Sequence, residues 1–202
     1  IFDHAMRIPP TLPYAKAQNN NHLLSEAAGL FTAAIFLQSM PLAQKWRRQG
    51  WKIFCQSLLQ QIASDGAYIQ HSTNYHRLML QLALWVFALA RNQNLVYPNP
   101  VQDRLAAATN WLLARLDTIS GCVINLGHND GSYILPLAAG GNSDYRPVVQ
   151  AASRAFLGVN SFAEGKWDEL SQWLGIAAPP QPANSFSPDT ETALRLGDET
   201  CW

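Results

Sequence analysis

Apolar residues recur every three or four positions through most of this chain, a spacing typical of amphipathic helices and not of strands. The clearest run follows His22 and comprises Leu23, Leu24, Ala27, Ala28, Leu30, Phe31, Ala34 and Ile35. The same pattern, with proline and glycine as boundaries, predicts further helices over residues 42–63, 72–91 and 101–116, from Pro147, and over 167–174. Nothing before the end of the chain has a clear strand pattern, so we expect an all-α fold.

Short connections join these helices, so neighbouring helices should run antiparallel. The helices that begin near His22 and Ser72 would then start at the same end of the bundle, which suits an incomplete α/α toroid of helical hairpins over residues 1–176. Residues 177–202 include AAPPQPANSFSP, whose prolines are typical of an interdomain linker. We expect the chain to be cut from a longer protein, with a strand of a further domain beginning after the linker.

Charge is low and balanced, with 14 basic and 14 acidic residues. This balance argues against a nucleic-acid surface, which would carry a basic excess. The longest apolar stretch, residues 78–90, is too short to cross a bilayer, so no membrane insertion is expected. Cys55, Cys122 and Cys201 lie far apart without metal-ligand spacing, and neither a metal site nor a cofactor is predicted.

Two polar motifs occupy predicted helix starts: residues 19–22, NNNH, and residues 71–76, HSTNYH. Asparagine is a good N-cap because its side chain accepts from free backbone N–H groups, but one asparagine would be enough. Tyr75 could simply pack in the core. A functional role is favoured instead by the polar residues around it, which are Gln70, His71, Asn74, His76 and Arg77.

A long polar segment, residues 121–146, separates two predicted helices, and we call it the glycine-rich loop. Loops of this length in a compact helical domain are usually functional or mobile. Candidates for substrate contact are Asn129, Asp130, Tyr145 and Arg146, and the Arg146 guanidinium could bind a carboxylate through two hydrogen bonds. The alternative for Asn129 and Asp130 is an ordinary turn that Gly131 completes.

Three sequence blocks together resemble the heparinase II/III-like polysaccharide lyases. The blocks are NNNHLLSEAAGLF, DGAYIQHSTNYHR, and NLGHNDGSYILPL followed by DYRPVVQAA. They come in the order found in that family, and the resemblance spans most of residues 12–175. It implies an α/α toroid followed by an antiparallel β-sandwich that this chain would largely lack, and a periplasmic or secreted location.

The resemblance also implies β-elimination on an acidic polysaccharide or oligosaccharide that contains uronic acid. Asn21 matches the amide that neutralises the uronate carboxylate, so that the enolate formed on loss of the C5 proton costs less. Tyr75 matches the tyrosine that acts as acid and, on some epimers, also as base, and His22 matches a base or carboxylate partner. The expected substrate contacts are Asn20, Gln70, His76, Asn129, Asp130 and Arg146.

Other functions remain open. A catalytically idle glycan-binding protein on the same toroid would still bind glycan after loss of the Tyr75 hydroxyl. A glycoside hydrolase would need two carboxylates flanking the scissile bond, and only Asp65, Asp130 and Asp144 are plausible acids near these motifs. A helical repeat adaptor fits the polar motifs poorly. The sequence specifies neither the polysaccharide nor the oligomeric state.

Overall fold

The structure, a computed structural model, describes residues 1–179, and all of their regular structure is helical. The helices are α1 (Phe2–Ala5), α2 (Ile8–Gln18), α3 (Asn21–Phe36), α4 (Ala43–Gln61), α5 (Thr73–Arg91), α6 (Asn99–Leu113), α7 (Arg146–Ala152) and α8 (Glu169–Trp173). A π-helical turn, Ser153–Leu157, continues α7, and a 3-10 turn, Lys166–Asp168, precedes α8. These residues contain isolated β-bridges but no strand, which confirms the all-α prediction.

The apolar pattern locates α3 to α6 to within a few residues of their ends, but it predicts neither α1 nor α2. Three prolines in α2 look like helix breakers. Pro9 and Pro10, however, lie in its first turn, where a missing N–H removes no intrahelical hydrogen bond. Leu12 and Ala15 are buried as α2 packs against α3, so tertiary packing holds this helix despite Pro13 inside it.

The pair formed by α3 and α4 is the most extensive helix contact, and it depends on Gly50. A Cβ added at Gly50 would lie 2.7 Å from the backbone nitrogen of Phe31 and 2.8 Å from the carbonyl oxygen of Ala27. Only glycine permits this approach of the two backbones. Around the crossing, Phe54 and Leu58 are wholly buried in one continuous core shared with α5.

The starts of α3 and α5 lie at the same end of the bundle, as the antiparallel pattern predicts. Gln70, which precedes α5, accepts a hydrogen bond from the backbone nitrogen of Asn21 at 3.0 Å. Gln61, the last residue of α4, donates from Nε2 to the side-chain oxygen of Asn19 and the carbonyl oxygen of Asn20. Helix α4 therefore ends where α3 begins. We call this end of the bundle, with residues 19–22 and 70–75, the polar rim.

Closure of the hairpins into an α/α toroid stays a prediction, as does the division into domains. The predicted linker at residues 177–202 falls almost entirely outside the described residues. Every helix within residues 1–179 is too short or too polar to cross a lipid bilayer.

Candidate functional site

The glycine-rich loop is fastened to the first turn of α5 at the polar rim. Ser72 caps α5, with its hydroxyl oxygen accepting from the backbone nitrogen of Tyr75 at 3.1 Å while its hydroxyl donates to the carbonyl oxygen of His128 at 2.6 Å. The hydroxyl of Thr73 donates to the carbonyl oxygen of Ile124 at 2.9 Å. The side chains that begin the helix thus also hold the loop in place.

Asp130 is the centre of the hydrogen bonds between loop and helix. Its carboxylate accepts from the Tyr75 hydroxyl at 2.7 Å, from Asn74 Nδ2 at 3.0 Å, and from the backbone nitrogen and hydroxyl of Ser132 at 3.0 and 2.6 Å. These donors, first the Ser132 hydroxyl and then Tyr75, lower the pKa of Asp130 to about 2. Asp130 is therefore ionised at neutral pH.

Tyr75 is half-buried: its ring packs against the edge of the helical core, and its hydroxyl forms a hydrogen bond with the loop. The hydrogen bond to Asp130 raises the pKa of Tyr75, because a carboxylate acceptor stabilises the protonated phenol, and burial adds to the effect. The exposed ring of His128 stacks on the Tyr75 ring, with centroids 6.1 Å apart and planes at 15°. The phenol is therefore held protonated, with its proton directed at Asp130.

Helix capping explains two of the three asparagines in the first motif. Asn19 ends α2 in the left-handed conformation, with φ 45° and ψ 53°, which asparagine tolerates well. Asn20 is the N-cap of α3 and accepts from the backbone nitrogen of His22 at 3.0 Å. The side-chain amide of Asn21 forms no hydrogen bond with any of residues 1–179, and the ring of His22 is exposed. Capping does not account for these last two residues.

Gln70 links the two polar motifs through its bond to Asn21, so Asn20, Asn21, His22 and Gln70 share the polar rim with Tyr75. Within residues 1–179, no hydrogen bond joins Asn21 or His22 directly to Tyr75. Asn129 lies beside Asp130 and forms the turn given as the alternative to substrate contact, because its side-chain oxygen accepts from the backbone nitrogen of Gly131 at 3.0 Å.

His76 lies in the core, which corrects the prediction that it contacts substrate. It is fully buried, its Nε2 lies 2.8 Å from the carbonyl oxygen of Ala108, and its ring stacks on Trp111 with centroids 4.6 Å apart. Burial lowers the pKa of His76 to about 4, so the ring is neutral at physiological pH. Tyr75 and His76 point in different directions because adjacent residues on a helix lie about 100° apart.

Arg146 was predicted to bind a substrate carboxylate, but its guanidinium forms a bidentate ion pair with Asp144 of the same chain. Nε and one terminal nitrogen each lie 2.9 Å from an Asp144 carboxylate oxygen. The other terminal nitrogen donates to the carbonyl oxygen of Ile119, and the guanidinium lies over the Trp167 ring. Arg146 therefore fastens the end of the loop, and four of its five N–H donors already have partners in the chain.

A buried polar line on α5 faces the loop, and the sequence pattern did not predict that Asn74 and Arg77 belong to it together with Gln81. Asn74, Arg77 and Gln81 follow one another at intervals of three and four, and each is at most 1% exposed. Asn74 binds Asp130, Arg77 donates to the carbonyl oxygen of Asn142, and Gln81 accepts from the backbone nitrogen of Ile134. Polar residues at helical spacing inside an apolar run were the available signal. Residues 1–179 contain no cluster of three or more His, Cys, Asp or Glu residues arranged to hold a metal ion.

The family model described as "Heparinase II/III N-terminus" matches residues 11–114, slightly more than half of the chain. The matched region contains helices α3, α4 and α5 with both polar motifs, and it ends before the glycine-rich loop. Comparisons with curated proteins and with solved structures gave no significant match.

Proposed function

Because the chain belongs to the heparinase II/III N-terminus family, we propose that it carries the helical active-site residues of a polysaccharide lyase. The proposed reaction is β-elimination on a uronic-acid-containing polysaccharide or oligosaccharide, in the periplasm or outside the cell. The observation that carries the proposal is the polar rim, where Asn21 and His22 lie at the same helical end as the phenol of Tyr75.

The chemistry requires a proton to leave C5 of a uronate whose carboxylate is already negative. An amide that donates to this carboxylate reduces the cost of the enolate that forms. The C5–H electron pair then forms the C4–C5 double bond, the C4–O4 bond breaks, and the departing O4 takes up a proton. Asn21 fits the amide role because its side chain has no other hydrogen bond among the described residues, whereas the Asn20 side chain caps α3.

Tyr75 is suited to be the general acid that protonates O4, because the hydrogen bond to Asp130 keeps its phenol protonated. To deliver the proton, the hydroxyl would turn from Asp130 towards the glycan oxygen. The same bond disfavours a tyrosinate, so in our proposal the C5 proton goes to a histidine. His22 on the rim and His128 stacked on Tyr75 are candidates for this base.

The proposal is tested by the ultraviolet absorbance of unsaturated uronate, a product that hydrolysis does not form. A panel of uronic-acid polysaccharides is assayed with the parent protein, with Tyr75→Phe, and with Tyr14→Phe as the matched control. Removing a positioned proton donor should lower the rate by roughly 10²–10⁴-fold. Tyr14 lies on α2 and is 70% exposed, so the same loss of a hydroxyl there should leave the rate unchanged.

Two results would contradict parts of the proposal. Full activity of Tyr75→Phe would remove Tyr75 from the mechanism while leaving the lyase assignment intact. Glycan binding without unsaturated product from any polymer, unaffected by Tyr75→Phe, would instead support the catalytically idle glycan-binding protein.

A further inference from the structure

Arg77 is a buried cation without an acidic partner among residues 1–179. Its side chain belongs to the polar line of α5 and is 1% exposed. The guanidinium donates to the carbonyl oxygens of Asn142 and Ser132 and to the side-chain oxygen of Asn74, all of them neutral acceptors. The ion pairs within residues 1–179 use Arg146 and Arg154 instead.

The surroundings of Arg77 leave its charge incompletely compensated. The rings of Tyr133 and Tyr145 lie 4.8 and 4.2 Å from the guanidinium carbon, where their faces attract the cation but supply no negative charge. Its Nε–H is buried and has no hydrogen-bond acceptor among residues 1–179. Burying a charge is costly unless it is paired, so the site favours an anion that would complete it.

A small polar cavity of about 170 Å³ lies beside this guanidinium, beneath the glycine-rich loop. Its lining includes Arg77 and Tyr145 together with Asn125, Asn129 and Ser143. The cavity is smaller than the roughly 300–1,000 Å³ typical of sites for drug-sized ligands, so it suits one sugar unit or one small charged group. The positive charge disfavours a cation, and a guanidinium matches the planar, two-oxygen shape of a carboxylate.

The cavity is connected to the proposed site by two hydrogen bonds. Arg77 donates to Asn74 at 2.9 Å, and Asn74 donates to Asp130 at 3.0 Å, which in turn holds the phenol of Tyr75. We propose that the cavity binds the carboxylate of a uronate unit adjacent to the unit that is cleaved, with Arg77 as its counter-ion. This inference rests on the proposed function, because it identifies a second substrate carboxylate that the same site holds.

The test introduces a competing carboxylate at the edge of the cavity. Ser143 is exposed and lines the same cavity as Arg77, so Ser143→Asp would add a tethered carboxylate to the cavity lining, while Ser143→Asn adds similar bulk without charge. Ser39→Asp adds the same charge at an exposed position beyond the opposite end of α3 and serves as the control. The probes are sodium D-glucuronate, neutral D-glucose and sodium sulfate, followed by the ¹⁵N NMR signal of the Arg77 Nε–H group.

Glucuronate should shift the Arg77 signal and glucose should not. Ser143→Asp should weaken glucuronate binding by about tenfold or more relative to Ser143→Asn, because a tethered group acts at a high effective concentration. Ser39→Asp should bind like the parent. Ser143→Asp should also raise the melting temperature relative to Ser143→Asn, since Arg77 gains a partner.

Three results would overturn the inference: no shift with glucuronate, an equal shift with glucose or sulfate, or equal binding by the two Ser143 variants. The unsaturated-uronate assay separates this inference from the proposed function. If Ser143→Asp cleaves the polymer with unchanged KM, the cavity assignment fails while the lyase assignment stands. If glucuronate binds as predicted but no polymer yields product, the lyase assignment fails while the cavity assignment stands.

Discussion

Asp130 controls the protonation state of Tyr75, the residue on which the proposed chemistry most depends. The family resemblance indicates that Tyr75 acts as an acid or a base, but it does not decide between the two roles. The 2.7 Å bond from the phenol to a carboxylate of pKa about 2 favours the acid, because that carboxylate stays ionised and stabilises the protonated phenol. Asp130 thus positions Tyr75, while its contact with substrate stays a prediction.

Asp130→Asn should lower the pKa of Tyr75 towards its ordinary value of about 10, because an amide is a weaker acceptor than a carboxylate. The pKa is measured by NMR titration of the tyrosine ring carbons, with assignment by Tyr75→Phe. Asp103→Asn, an exposed change of the same kind on α6, should leave the Tyr75 titration unaltered. An unchanged or higher pKa in Asp130→Asn would show that this carboxylate does not hold the phenol proton.

His76 and Arg146 show that residue type alone does not determine whether a side chain is available to a substrate. His22 and His76 both lie in polar stretches at helix starts, yet one is exposed and the other fully buried. Arg146 has the guanidinium geometry expected for carboxylate recognition, but the carboxylate it binds is Asp144, two positions earlier. Which group faces solvent depends on the direction of each side chain relative to neighbouring helices.

At the scale of elements, α5 has two roles that its sequence pattern does not separate. Its apolar residues pack in the core, as the periodicity predicts. Asn74, Arg77 and Gln81 are equally buried but face the glycine-rich loop, which supplies their hydrogen-bond partners. A buried polar line of this kind requires a neighbouring segment with free backbone groups, because unsatisfied buried polar groups are costly.

Gly50→Ala should destabilise the protein by about 1–3 kcal/mol, because its Cβ would press on the backbone of α3. Gly29→Ala is the matched control, since a Cβ there would first meet the flexible end of Ile8 at 3.4 Å. That change should be neutral or stabilising by up to about 1 kcal/mol, the difference in helix propensity. Urea unfolding measures both variants, and equal effects of the two changes would contradict the close approach of α3 and α4.

At the scale of the whole molecule, one buried glutamine joins segments that are distant in sequence. Gln61 is 1% exposed, donates to Asn19 and Asn20 before α3, and accepts from the hydroxyl of Tyr68 at 3.0 Å. It thus connects the end of α4 to the start of α3 and to the turn that leads into α5. The polar rim depends on these connections, because they fix where the two motifs lie relative to each other.

Gln61→Leu should lower the free energy of unfolding by about 1–3 kcal/mol, since Tyr68 and the carbonyl of Asn20 would lose their partner in the interior. Gln60→Leu makes the same change at the adjacent exposed position and should cost much less. Chemical unfolding followed by circular dichroism gives both values. Comparable losses for the two variants would mean that the buried network contributes no stability.

The sequence by itself determined the helical class, the positions of α3 to α6, and the shared end of α3 and α5, because these follow from apolar spacing and short connections. Family resemblance added Asn21, His22 and Tyr75 as candidate groups. Only the tertiary structure decided that His76 is core, that Arg146 is paired, and that Arg77 lies beside a cavity without an acidic partner among residues 1–179. The physical reason is that burial, ionic pairing and hydrogen-bond partners depend on segments distant in sequence, and local periodicity does not encode their arrangement.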